Sequence, residues 1–210
     1  MTFLRKHWYD IGGFLSIIVL VFVFLKVKSL TDYELLMYLN LVSLFFHQLE
    51  EYRWPGTFPG MINKVMFKST MPDRYPLNTN TALIVNAVVG WFFYFIAAFL
   101  GEKATWLGIA VIMVSLGNFI AHTFVFNIKG KTFYNAGMIT SWIFLAPCVL
   151  FFIYIIFSEN IISQTDYLIG IPLGIALNAI GILKMIDWLK NINTKYIFDQ
   201  RNLLPADRKK

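Results

Sequence analysis

The chain has a single cysteine, Cys148, in 210 residues, so no internal disulfide can form and a disulfide-stapled fold is excluded. Charge is also scarce. Only 14% of residues are charged against 58% hydrophobic, and a soluble domain of this size cannot cover its surface with so few charges. There is no internal repeat and no stretch that reads as a separate soluble domain. Arg5 and Lys6 precede an apolar run as in a signal peptide, but no small-residue cleavage site follows, which points to an uncleaved anchor. Prolines are few and unevenly placed. Four of the seven, Pro55, Pro59, Pro72 and Pro76, break the segment 54–80 too often for it to cross a membrane.

Long apolar runs make up most of the remainder, at about the length that crosses some 30 Å of hydrocarbon. The sequence predicts an all-α polytopic membrane protein, a bundle of six transmembrane helices over residues 11–25, 33–52, 81–100, 104–128, 136–157 and 167–188. Thr31 followed by Glu34 has the pattern of a capping box at the start of the second helix. Gly101-Glu102-Lys103 marks a tight hairpin between the third and fourth, and Pro147 should kink the fifth. Residues 1–210 read as one integral membrane domain, with 54–80 as a cytoplasmic-side loop or lid and 189–210 as a basic cytoplasmic tail.

Fifteen of the eighteen Lys and Arg residues fall on one side of such a topology, leaving Lys26, Lys28 and Lys103 on the other. Cationic loops stay cytoplasmic, so both termini are expected in the cytoplasm and the protein in the cell (inner) membrane. The same asymmetry accounts for the basic balance through an anionic lipid leaflet. It gives no support to a nucleic-acid partner.

His47, Glu50 and Glu51, in the string HQLEE, close the second apolar helix. Ionisable residues at that position are costly and usually functional. At about 100° per residue, all three can face one cavity. His122 lies at a similar depth on the fourth helix, with Asn118 one turn before it on the same face. Asn40, two turns before His47, reads as an interhelical hydrogen-bonder. His47 and Glu51 share a helix face at i and i+4, and His122 would complete a two-His, one-carboxylate set with an open position, as in catalytic zinc sites. Glu50 would then accept a proton and Asn118 would orient a substrate oxygen. The reverse assignment within the acid pair is open, because i and i+3 also share a face. Zinc leads among divalent ions, with iron and manganese as alternatives. A plainer reading makes Glu50 and Glu51 a cytoplasmic rim paired with Arg53.

The HQLEE string after an apolar helix, the later His122 and the run Tyr134-Asn135-Ala136-Gly137 resemble the HXXEE-domain family of bacterial membrane proteins, whose pattern is HXXEE, a further histidine and YXPG. Ala136 stands where that pattern has proline. The resemblance implies a membrane protein in which His47, Glu50, Glu51 and His122 belong together; it implies no activity. A weaker similarity links Glu50-Glu51-Tyr52-Arg53 and Phe119-Ile120-Ala121-His122 to membrane-embedded CAAX-type proteases, but the spacings are shorter than in those motifs.

Three functions fit these residues. The first is a metal-assisted membrane hydrolase acting on a lipid or membrane-bound peptide. The second is a metal-free acid/base isomerase of an apolar lipid using His47 and Glu51, and the third a non-enzymatic carrier or metal-binding membrane protein. A bis-histidine haem through His47 and His122 would leave the two acids without a role.

Overall fold

The computed structural model describes residues 1–208, and every regular element among them is helical. The long helices are α1 (Thr2–Lys26), α2 (Asp32–Tyr52), α4 (79–100), α5 (105–130), α6 (Met138–Glu159) and α7 (Gln164–Trp188), with a short α3 (58–66) between α2 and α4. Four stretches are long and apolar enough to cross a membrane: Thr2–Ser29, Thr79–Gly130, Met138–Glu159 and Gln164–Trp188. The 52-residue stretch Thr79–Gly130 holds both α4 and α5, because the chain reverses at Gly101. Gly101 has φ +54, and a Cβ there would press on the Glu34 side chain. The two arms then pack antiparallel, with the Tyr94 hydroxyl against the Val111 carbonyl (3.1 Å) and Ser115 Oγ (2.8 Å).

Helix α2 is not among the four stretches, so what holds of the six-span expectation is an all-helical chain with four apolar stretches of membrane length. Its polar residues lower its hydropathy, but they meet protein and not the surroundings: Asn40, Ser43, His47, Gln48, Glu50 and Glu51 are all buried. The Thr31–Glu34 capping box forms in both directions. Asn40 takes the interhelical role read for it, its Oδ1 accepting from Ser115 Oγ at 2.8 Å. Small residues let neighbouring helices close, α1 on α2 and α7 on α5. A Cβ at Gly12 or Gly13 of α1 would meet Phe45 or Leu49, and one at Gly170 or Gly174 of α7 would strike α5 at the Trp106 carbonyl and Met113.

One end of the bundle gathers the N-terminus, the 54–78 loop and the tail. Asn63 pins the loop by bonding Leu77 N, Leu77 O and Pro72 O at 2.8 to 2.9 Å. The basic tail is fitted into this end: Asn202 Nδ2 donates to the carbonyls of Tyr52 (3.0 Å) and Gly56 (2.8 Å), and Lys6 pairs with Asp199. The last two residues of the predicted tail, Lys209 and Lys210, lie outside the described residues.

Pro147 is preceded by a π-type turn at Ser141–Leu145, which rearranges the backbone where the proline removes a donor. Similar turns occur at Ile84–Trp91, Ala121–Val125 and Leu177–Lys184. Such turns re-aim side chains and often accompany functional sites. These carry Asn86, His122 and Asn178 respectively.

Candidate metal centre

His47 and Glu51 lie one turn apart on α2, and His122 approaches from α5. The two imidazole rings meet edge to face with centroids 4.7 Å apart. Glu51 Oε1 is 3.2 Å from His122 Nε2 and 3.6 Å from His47 Nε2, and one ligand atom from each residue falls within 4.8 Å of the others. All three residues are buried, and the group can hold a metal ion. His47 and His122, placed at a common depth by sequence, are thus brought together.

Hydrogen bonding fixes which ring nitrogen faces the centre. Asn135 Nδ2 donates to the His122 carbonyl (2.7 Å) and to Asn127 Oδ1 (2.8 Å), so both amide protons are used and Oδ1 is the atom 2.6 Å from His122 Nδ1. His122 Nδ1 must therefore carry the proton. The same reasoning applies to His47. Thr140 Oγ1 donates to Glu50 Oε2 at 2.6 Å and Ser141 Oγ donates to the Gly137 carbonyl at 2.7 Å. Both hydroxyls can only accept from His47 Nδ1, at 3.1 and 3.4 Å. With both Nδ1 atoms engaged as donors, Nε2 is the ring nitrogen that each histidine turns toward the Glu51 carboxylate.

Among the described residues neither Nε2 has a hydrogen-bond partner beyond its approach to the Glu51 carboxylate. A buried polar atom left unsatisfied costs about 1–3 kcal/mol. Three converging acceptors repel one another unless a cation or proton lies between them, and two imidazoles with one carboxylate are a donor set for zinc or a similar ion. The fit of these residues to a divalent cation is good.

Glu50 faces away from this convergence. Its carboxylate accepts from Tyr134 OH (2.9 Å), Ile139 N (3.2 Å), Thr140 N (2.7 Å) and Thr140 Oγ1 (2.6 Å), which places a negative charge on the first turn of α6. Burial, and then the Glu50 charge, hold the Tyr134 hydroxyl above the ordinary phenol range, so it remains a donor. The rim pairing is absent as well: Arg53 lies 3.2 Å from Asp10.

Gly137 makes the arrangement sterically possible. Its φ is +104, and a Cβ would overlap His122 and come within 2.9 Å of His47 Cε1. The turn before α6 forms with Ala136 buried where the sequence pattern has proline. Sequence reasoning singled out the Tyr134–Gly137 run without giving its members roles, and it missed Thr140 and Ser141, which carry no local motif.

His47, Glu51 and Asn118 line one cavity of about 280 Å³ between α2, α3, α4, α5 and α7. Asn118 stands on the α5 wall, its Nδ2 donating to the Val114 carbonyl at 3.1 Å. Phe58 of α3 stacks on His122 with centroids 5.4 Å apart, so the loop segment closes over the cluster.

The family model described as protein of unknown function with HXXEE motif matches residues 38–152, more than half of the chain, and the chain belongs to that family. The matched span contains every residue of the cluster and each of its hydrogen-bonding partners. No curated protein and no solved structure matches the chain.

Proposed function

We propose that the protein is a membrane-embedded, metal-assisted hydrolase acting on a lipid or membrane-bound peptide, with His47, Glu51 and His122 as ligands. The observation that carries this reading is the pair of buried Nε2 atoms that converge on one carboxylate oxygen beside a cavity, with no other hydrogen-bond partner among the described residues. A divalent ion there would supply Lewis-acid polarisation of a substrate oxygen and acidification of water. The remaining work belongs to the chain's own residues. Asn135 holds His122, while Thr140 and Ser141 hold His47, each in the tautomer that ligation needs. Glu50 is a positioning residue: it fixes Thr140 and through it the His47 ring. Glu51 lines the cavity, and its carboxylate oxygen not turned to the histidines would take the proton. Asn118 would orient the substrate.

The membrane arrangement proposed with it is six crossings, α2 being the shielded central one, with both termini, the 54–80 loop and the tail in the cytoplasm. The clustering of Arg5, Lys6, Arg53 and Lys64 at one end supports this.

The test is incubation of metal-supplemented protein with a total membrane lipid extract and membrane peptides in isotopically labelled water. Products carrying the label, lost on chelation and in Glu51→Gln, are expected. Products of unchanged mass formed without metal would replace hydrolysis by proton-transfer isomerisation.

A further inference from the structure

Trp91, Gln48, Asn86 and Tyr52 form a hydrogen-bond chain along the cavity, and its direction is set at one end. An indole N–H only donates. Gln48 Oε1 therefore faces Trp91 (2.8 Å), and Gln48 Nε2 donates to Asn86 Oδ1 (3.4 Å). Asn86 Nδ2 then donates to the Ala82 carbonyl (3.0 Å) and to the Tyr52 hydroxyl (3.2 Å). Both Asn86 protons are used, so the Tyr52 oxygen accepts. Its own proton has no acceptor among the described residues. The ring is locked by Trp8, Tyr9 and Phe58, and Tyr52, like its neighbour Glu51, lines the cavity.

The rest of the cavity says what that proton can meet. Beyond the cluster, the lining runs up α2 to Leu44, α4 to Tyr94 and α5 to Val114, and no Lys or Arg is among the described lining residues. Its exposed members are Phe67 (50%) and Leu183 (63%), both large and apolar. Leu183 belongs to the last turns of a membrane-length helix and Phe67 to the loop read as cytoplasmic, so the mouth falls where hydrocarbon would give way to headgroups.

We infer that the cavity takes an uncharged lipid with a single polar end, a carbonyl or ester, entering past Leu183 and Phe67, and that the Tyr52 hydroxyl donates to that oxygen beside His47 and Glu51. An anionic headgroup would shed its hydration with no cation from the lining to meet it, and an extended peptide would set amide groups against apolar walls. The inference deepens the hydrolase reading by naming its substrate class, and it rests on that reading only for the chemistry done at the bound oxygen.

Binding of methyl oleate to the full-length protein in detergent tests it, with oleate, phosphatidylglycerol and a membrane peptide as competitors, on chelator-treated samples, where no ester is turned over; metal retention is measured separately on zinc-supplemented protein. One methyl oleate per chain is expected. Tyr52→Phe, which keeps the ring packing, should bind about fivefold more weakly through loss of one hydrogen bond. Val89→Phe, which fills the cavity, should lose binding while keeping the helical circular dichroism of the wild type. Equal affinity of Tyr52→Phe and wild type, displacement by oleate, phosphatidylglycerol or peptide in preference to methyl oleate, or no binding at all would each overturn the inference. Tyr52-dependent binding in a protein that holds no metal would leave it standing and remove the hydrolase reading. Stoichiometric metal without methyl oleate binding would do the reverse.

Discussion

Asn135 grips His122 twice, accepting from Nδ1 at 2.6 Å and donating to the backbone carbonyl of the same residue at 2.7 Å. That double contact ties the ring and its π-turn together and leaves Nε2 as the free lone pair. Asn135→Leu should therefore weaken metal binding about 10- to 100-fold, the usual effect of losing such an outer partner, as measured by competition with a chromogenic chelator. Unchanged affinity would mean that the amide does not set the tautomer.

Glu50 gives the second expectation. Four donors converge on its carboxylate, and an amide would place its own N–H groups against at least one of them. Glu50→Gln should destabilise the protein by roughly 1–3 kcal/mol in detergent unfolding and lower metal affinity without abolishing it. A variant with native stability and affinity but no turnover would return Glu50 to the role of proton acceptor.

Gly137 supplies a steric test. Gly137→Ala puts a methyl group into both imidazoles at a positive φ, so the rings must separate or the turn must move. Loss of metal with retained helical content is expected. A Gly137→Ala variant with full metal occupancy would mean that the rings need not stand so close.

Topology is checked by cysteine labelling after Cys148→Ala. A probe at Thr70, in the loop, should react only once cells are opened. Labelling from outside would reverse the orientation argued from the basic residues.

Much of this was legible in the sequence. The order of the helices followed from apolar run lengths and the turn between α4 and α5 from Gly101, but α1 begins at Thr2 and not at residue 11, its polar first turns being packed through Trp8 and Tyr9. His47, Glu51 and His122 could be grouped because periodicity fixes faces within a helix and rise fixes depth between helices. Two things could not be read. The direction of Glu50 depends on where the α6 N-terminus docks, a contact 90 residues away in sequence between Glu50 and Thr140. The sequence shows the tail as basic but not where it docks, because Asn202, which anchors it to the Tyr52 and Gly56 carbonyls, has no neighbours that announce the contact. The burial of α2 was hidden for a related reason: periodicity gives a helix its faces but not the number of neighbours that cover them.

The central claim is that His47, Glu51 and His122 hold a divalent ion, and elemental analysis tests it most directly. Wild-type protein prepared without chelator and supplied with zinc, manganese or iron should retain one equivalent after gel filtration, and His47→Ala, Glu51→Ala and His122→Ala should each retain far less. Absence of stoichiometric metal from the folded wild type would contradict the claim, as would retention of the metal by all three variants.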